Sequence, residues 1–232
     1  MGKTNIMKPK ITVDIVSDIV CPWCYIGIRR FEKAVEQLKD QFDFEIDFKA
    51  FQLHPEIKDS SINLMDYLVR KYGDSDKVSS MTNQVISDAH EEGIEMNFPA
   101  DKIIPNTLLA HKLLKLIPNK ILKAKVKKHL LKAYFTDNVN IGDQQEIYAI
   151  AKNAGISQII LDDFNQNTNL ESVLEEQKYY RKAGITAVPS FIINGKHLVQ
   201  GAQSKDTFIS AFQQLGNPTP SENSCTPGSG CC

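Results

Sequence analysis

The chain has 232 residues, 42% hydrophobic and 24% charged, and its Lys+Arg 27 against Asp+Glu 28 leaves a net charge of −1. That length gives one large domain, or one domain with a big insertion, able to bury a core without disulfide staples. Disordered, collagen-like and small disulfide-scaffold classes are excluded, the charge balance gives no global field for nucleic acid or an anionic membrane, and no apolar run approaches the roughly 18–20 residues of a membrane helix.

Residues 1–10 read as an N-terminal arm, basic but without the apolar stretch of a secretory signal, so the expected location is cytoplasmic. Ile11, Val13 and Ile15 then alternate with other residues, which predicts a strand. The stretch D-I-V-C-P-W-C-Y-I-G follows, with Cys21 and Cys24 spaced C-x-x-C. Phe31, Ala34, Val35 and Leu38 recur at helical spacing, and Phe44, Ile46 and Phe48 alternate as a second strand. The two strands are therefore expected to be parallel neighbours joined by a right-handed crossover.

This context points to redox chemistry. Cys21 falls at the N-terminus of a helix, where unpaired backbone N–H groups and the helix dipole favour a thiolate, the reactive form of cysteine. Pro22 suits the first helical turn. Cys24 lies one turn on, close enough to bond to Cys21, and its expected burial suits it to resolving a mixed disulfide. Two other readings are a zinc half-site, which needs two further ligands, and a pair of inert buried thiols. Trp23, the only tryptophan, is expected to be partly exposed as an apolar landing surface. It carries no charge, so the couple is expected to be less oxidising than roughly −120 mV.

Residues 62–168 read as helical. Helices are expected around Leu64–Val69, Val78–Ala89, Leu108–Leu114, Ile121–Leu131 and Asp143–Gly155, with a sixth over about 170–184. Asn106 is expected to cap the third and Asp143, with Glu146, the fifth. Lys120, Lys123, Lys125, Lys127, Lys128 and Lys132 crowd the fourth with no acid nearby in sequence, which reads as a solvated face. His54 follows the second strand as a turn residue, or as an imidazole able to steady a Cys21 thiolate, and His111 is expected at a cleft wall.

Downstream, Phe191–Ile193 and Leu198–Gln200 flank Asn194-Gly195, a strong hairpin signal. Ser204 then caps a helix carrying Phe208, Ile209, Phe212 and Leu215.

The segments C-P-W-C-Y-I-G, F-Q-L-H-P, P-N-T-L-L-A-H, G-I-T-A-V-P-S-F and G-A-Q, in that order over residues 11–216, resemble the FrnE-like branch of the DsbA family. The resemblance implies an α/β thioredoxin fold with an inserted all-helical domain. Residues 11–61 and 169–216 would form the thioredoxin-like domain and residues 62–168 the insertion. It implies a protein disulfide oxidoreductase, acting as oxidase, isomerase or reductase on a thiol- or disulfide-containing protein or a small thiol. Its catalytic residues would be Cys21 and Cys24, with Trp23, Val188 and Pro189 binding substrate and Pro189 in the cis form, and no cofactor or metal is implied. Ala187 stands where glycine is usual and His54 where asparagine is usual. A kappa-type glutathione transferase or chromene isomerase is the related alternative, although such enzymes use a hydroxyl where Cys21 stands.

Residues 217–232 are rich in Pro, Gly, Ser and Asn and carry Cys225, Cys231 and Cys232, which reads as a flexible tail. Its thiols suit a redox shuttle, soft-metal capture with the chain acting as a metal- or metalloid-binding redox sensor, or no role at all.

Overall fold

The computed structural model describes residues 8–58, 62–166 and 170–216. β1 (Lys10–Ser17), β2 (Asp43–Ala50), β3 (Ser190–Ile193) and β4 (His197–Gln200) form one sheet in the order β2-β1-β3-β4. β1 pairs with β2 in parallel, from Lys10 opposite Asp43 to Ser17 opposite Ala50, and β3 is antiparallel to both β1 and β4. The 193–197 turn is tight because Asn194 and Gly195 both take positive φ, 52° and 67°.

Helix α1 (Pro22–Leu38) joins β1 to β2, and α9 (Lys205–Gly216) packs beside it. Their contact is aromatic: the Phe31 ring centroid lies 5.6 Å from that of Phe208 and 5.9 Å from that of Phe212, and it also lies 5.3 Å from that of Phe191 on β3. Such ring pairs add specific geometry to apolar burial.

Between β2 and β3 come α2 (Leu64–Tyr72), α3 (Ser75–Glu91), α4 (Leu108–Leu116), α5 (Lys120–Phe135), α6 (Gln144–Asn153), α7 (Gln158–Asn165) and α8 (Leu170–Lys182). The fold is thus α/β, a thioredoxin sheet with a helical insertion. Polar clasps on Glu92 tie the insertion to α1: Arg30 bonds it at 2.8 Å and Lys33 at 2.6 Å, and Arg30 also bonds the Ala202 carbonyl between β4 and α9 at 2.9 Å. The Asn106 side chain accepts from the Leu108 N–H at 2.8 Å, and Asp143 accepts from Gln145 and Glu146.

Two features depart from the sequence reading. Helix α7 lies within the stretch that reads as helical but has no place of its own there, because its buried residues are Leu161 and Phe164 whereas Ile159 faces solvent, so its apolar run shows no clean helical face. The lysine-rich helix α5 is not a solvated face. Lys127 is completely buried, and Lys123 bonds Asp47 at 2.7 Å. Lys120 pairs with Glu45, and Lys128 pairs with Glu32 at 2.7 Å. The acids come from β2 and α1, far away in sequence but adjacent in the fold.

Candidate active site

β1 delivers the chain to the N-terminus of α1, where Cys21 is the N-cap with extended backbone and Pro22 is the first helical residue. The Cys21 sulfur takes the position that a Ser or Asp oxygen fills at an ordinary cap, accepting the Cys24 backbone N–H at 3.3 Å. No acidic residue lies in the first helical turn, so the positive end of the helix faces this sulfur unopposed. Both cysteines are free thiols; Cys21 is 3% exposed, Cys24 is 0% exposed, and Trp23 between them is 37% exposed. Burial pushes the Cys24 thiol well above its ordinary pKa, and its hydrogen bond to Cys21 adds to the rise.

The Val188–Pro189 peptide is cis. The Cys21 thiol donates to the Val188 carbonyl at 3.7 Å, and the Pro189 carbonyl accepts the Gly201 N–H at 2.8 Å. Gly27, one α1 turn past Cys24, leaves room for this loop: a β-carbon there would lie 2.9 Å from Pro189 Cγ. Segments separated by more than 150 residues therefore meet at one sulfur.

The model of the DSBA-like thioredoxin domain family matches residues 12–213. The chain belongs to that family. It is a disulfide oxidoreductase of the DsbA-like kind, a group that acts on thiol or disulfide substrates. Protein YwbO of Bacillus subtilis (strain 168) is 27% identical over 204 residues, covering 87% of this chain and 96% of YwbO. A "probable DsbA oxidoreductase" from Streptomyces coelicolor is 26% identical and superposes with a TM-score of 0.80 over 90% of this chain and 92% of that one. The cytosolic disulfide reductase DsbM from Pseudomonas aeruginosa, solved with GSH, shares the fold at 11% identity, with a TM-score of 0.60 over 88% of this chain and 98% of that one.

Beside the cysteine pair of this DSBA-like domain lies a cavity of about 230 Å³. Val20, Pro22 and Trp23 form one side, and α2, α3 and α5 supply Leu68, Val85 and Phe135 among others. Lys71 is the cation on its wall, and His54 also lines it. His54 Nδ1 lies 2.8 Å from the Tyr67 hydroxyl oxygen, whose proton is directed to Glu56, and burial, followed by the charge of Lys71, holds its pKa below the usual histidine value. It is therefore a neutral wall residue rather than a cation beside Cys21.

His111 is not at the cleft wall. It is buried behind the site, with Nε2 3.1 Å from Asp18 Oδ1. Asp18 also accepts the N–H groups of Ile19 and Leu53, both at 2.7 Å. Burial opposes ionisation of Asp18, but the His111 hydrogen bond and these neighbours outweigh it and lower its pKa. The carboxylate only accepts, so His111 carries its proton on Nε2. Asp18 and Lys127, also buried here, carry no sequence signal for it: a lone Asp after a strand reads as a turn residue, and Lys127 reads as one of six lysines on a solvated face. Among the described residues no group of three or more His, Cys, Asp and Glu comes together as a metal site. Cys225, Cys231 and Cys232 lie outside the described residues, and so do the readings placed on them.

Proposed function

We propose that the chain exchanges thiols and disulfides through Cys21 and Cys24, with a mixed disulfide on Cys21 as the intermediate. The observation that carries this is the Cys21 sulfur at the N-cap of α1, one helical turn from Cys24 and in contact with Val188. As a reductase, the Cys21 thiolate attacks a substrate disulfide, one substrate thiol leaves, and Cys24 then displaces the other. As an oxidase, a substrate thiolate attacks Cys21 in the oxidised pair and expels Cys24. Which direction prevails depends on the partner that renews the pair.

Extended substrate backbone fits along Val188, as a strand edge would accept it, with an apolar side chain against Trp23 in the neighbouring cavity. The contribution of α2, α3 and α5 to that cavity supports assigning substrate fit to residues 62–168 and the chemistry to residues 11–61 and 169–216. A small thiol such as glutathione is a candidate substrate, given that the similar DsbM was solved with GSH.

Insulin reduction and refolding of scrambled ribonuclease test the proposal. The wild type is expected to catalyse at least one of them and Cys21→Ser neither. Catalysis by Cys21→Ser at the wild-type rate would overturn it.

A further inference from the structure

Trp23, Tyr72 and Met81 are 37%, 38% and 41% exposed, and all three line the cavity beside Cys21. Large apolar side chains gathered at one opening mark a binding surface, whereas single exposed ones do not. Val20 and Pro22, the neighbours of Cys21 on either side, belong to the same wall, so a group that enters lies next to the attacking sulfur. At about 230 Å³ the cavity is smaller than the roughly 300–1,000 Å³ of a site for a whole small molecule, and it suits one side chain of a longer substrate.

The charge on this rim is one-sided. Lys71, in the last turn of α2, lines the cavity, and among the described residues no Asp or Glu does. Its Nζ lies 5.6 Å from the Tyr72 ring centroid and 5.9 Å from that of Tyr67. Lys77, in the first turn of α3, brings a second ammonium to 5.9 Å from the same Tyr72 ring. Among the described residues neither ammonium has an ion-pair partner. The acids of this corner are engaged in other bonds: Asp74 accepts the Asp76 N–H at 2.8 Å as the cap of α3, and Glu56 accepts from the Tyr67 hydroxyl at 3.2 Å.

Helix electrostatics does not account for the pair. A cation in the last turn of α2 suits the helix dipole, but Arg70 supplies one there, and Lys77 stands at the N-terminal end of α3, where the dipole disfavours a cation. The Tyr72 ring gives each ammonium only a weak attraction at this exposure. Burial first and the Lys71 charge second hold His54 below its usual pKa, so the field of this ammonium reaches the cavity wall.

We propose that Lys71 and Lys77 select polypeptide substrates by an acidic side chain: an apolar residue beside the substrate cysteine enters the cavity, and an Asp or Glu next to it meets the two ammoniums over Tyr72. This rests on the thiol–disulfide reading above and names the substrate class of that site. The bonds made and broken are those of the exchange through Cys21 and Cys24. Lys71 and Lys77 take no part in them and are specificity-determining residues. Charges on an exposed rim act mainly on encounter and weaken as salt rises.

Two capped peptides test this, Glu-Phe-Cys-Phe-Glu and Gln-Phe-Cys-Phe-Gln, each given as its disulfide dimer to the reduced enzyme and as its thiol to the oxidised enzyme. Second-order rate constants are read from the peptide converted, by liquid chromatography after acid quenching. The wild type is expected to prefer the acidic peptide in the direction it favours. The double variant Lys71→Met, Lys77→Met is expected to lower the acid-to-amide rate ratio about fivefold, the upper end for an exposed ion pair. Comparing that ratio between enzymes removes the intrinsic reactivity of each peptide and any general loss of activity in the variant. Salt at about 0.5 M is expected to lower the ratio in the wild type and not in the variant. Charge reversal, Lys71→Glu with Lys77→Glu, is expected to lower the ratio further, so that the amide peptide is preferred. A ratio unchanged in both double variants overturns the inference while leaving the oxidoreductase reading intact. No reaction of the wild type with either peptide in either direction sinks both.

Discussion

The Pro189 ring rests on Gly27: a β-carbon at that glycine would stand 2.9 Å from Pro189 Cγ and 3.1 Å from the Ala202 backbone. The last residue of C-P-W-C-Y-I-G is therefore small so that the loop carrying Val188 can reach Cys21. In Gly27→Ala the gain in helix propensity is about 1 kcal/mol. Overpacking opposes it with about 1–3 kcal/mol. The variant is expected to be no more stable than the wild type and less active, since Val188 must move with Pro189. Thermal unfolding and insulin reduction check this, and full activity at wild-type stability would contradict it.

Lys127→Met tests what burying this charge costs the fold. An ammonium buried with one weak hydrogen bond destabilises the fold, and its pKa of about 8 reflects that. The variant is expected to gain about 1–3 kcal/mol at pH 7, since each pH unit of depression corresponds to about 1.4 kcal/mol. The sign follows from linkage: the penalty is fully present below about pH 8 and is relieved as pH rises towards the ordinary lysine value of about 10.4. Denaturant unfolding at pH 7 and pH 10 should show the gap narrowing. A less stable variant at pH 7 would contradict the argument.

His111 gives the fold an acid-sensitive step. Burial lowers its pKa, with Asp18 opposing, so the folded state keeps the imidazole neutral where the unfolded chain protonates it. Stability is therefore fully present above about pH 6.5, the ordinary histidine value, and falls as pH drops below it towards the lowered folded value. His54, also lowered by burial, adds a contribution of the same sign. Between pH 7 and pH 5, His111→Gln is expected to lose stability less steeply than the wild type in urea unfolding. Parallel slopes would rule His111 out as a source.

Asp18, His111 and Lys127 mark where the sequence is no longer legible. Strand alternation, the C-x-x-C junction and Asn194-Gly195 are local signals, written by residues that touch their near neighbours, and each is found where its pattern puts it. Asp18 and His111 are 93 positions apart, and Lys127 and Ser17 are 110 apart. Such contacts leave no periodicity. A buried lysine among exposed ones has the same local pattern as a surface lysine until β2 and α1 bring acids to its neighbours.

Trp23 bears on the driving force. It sits between the cysteines, partly exposed and uncharged, so it supports the Cys21 thiolate less than a histidine there would. Equilibration with glutathione is expected to give a couple more reducing than roughly −120 mV. A value at or above that figure would contradict this reading.

The most direct test traps the intermediate. Incubated with a disulfide-bonded substrate, Cys24→Ser is expected to accumulate one substrate molecule bonded to Cys21, seen by mass spectrometry and lost on reduction. Cys21→Ser is expected to trap none. Adducts on Cys24 in Cys21→Ser at the same rate, or none on Cys21 in Cys24→Ser, would contradict the assignment of Cys21 as the attacking sulfur.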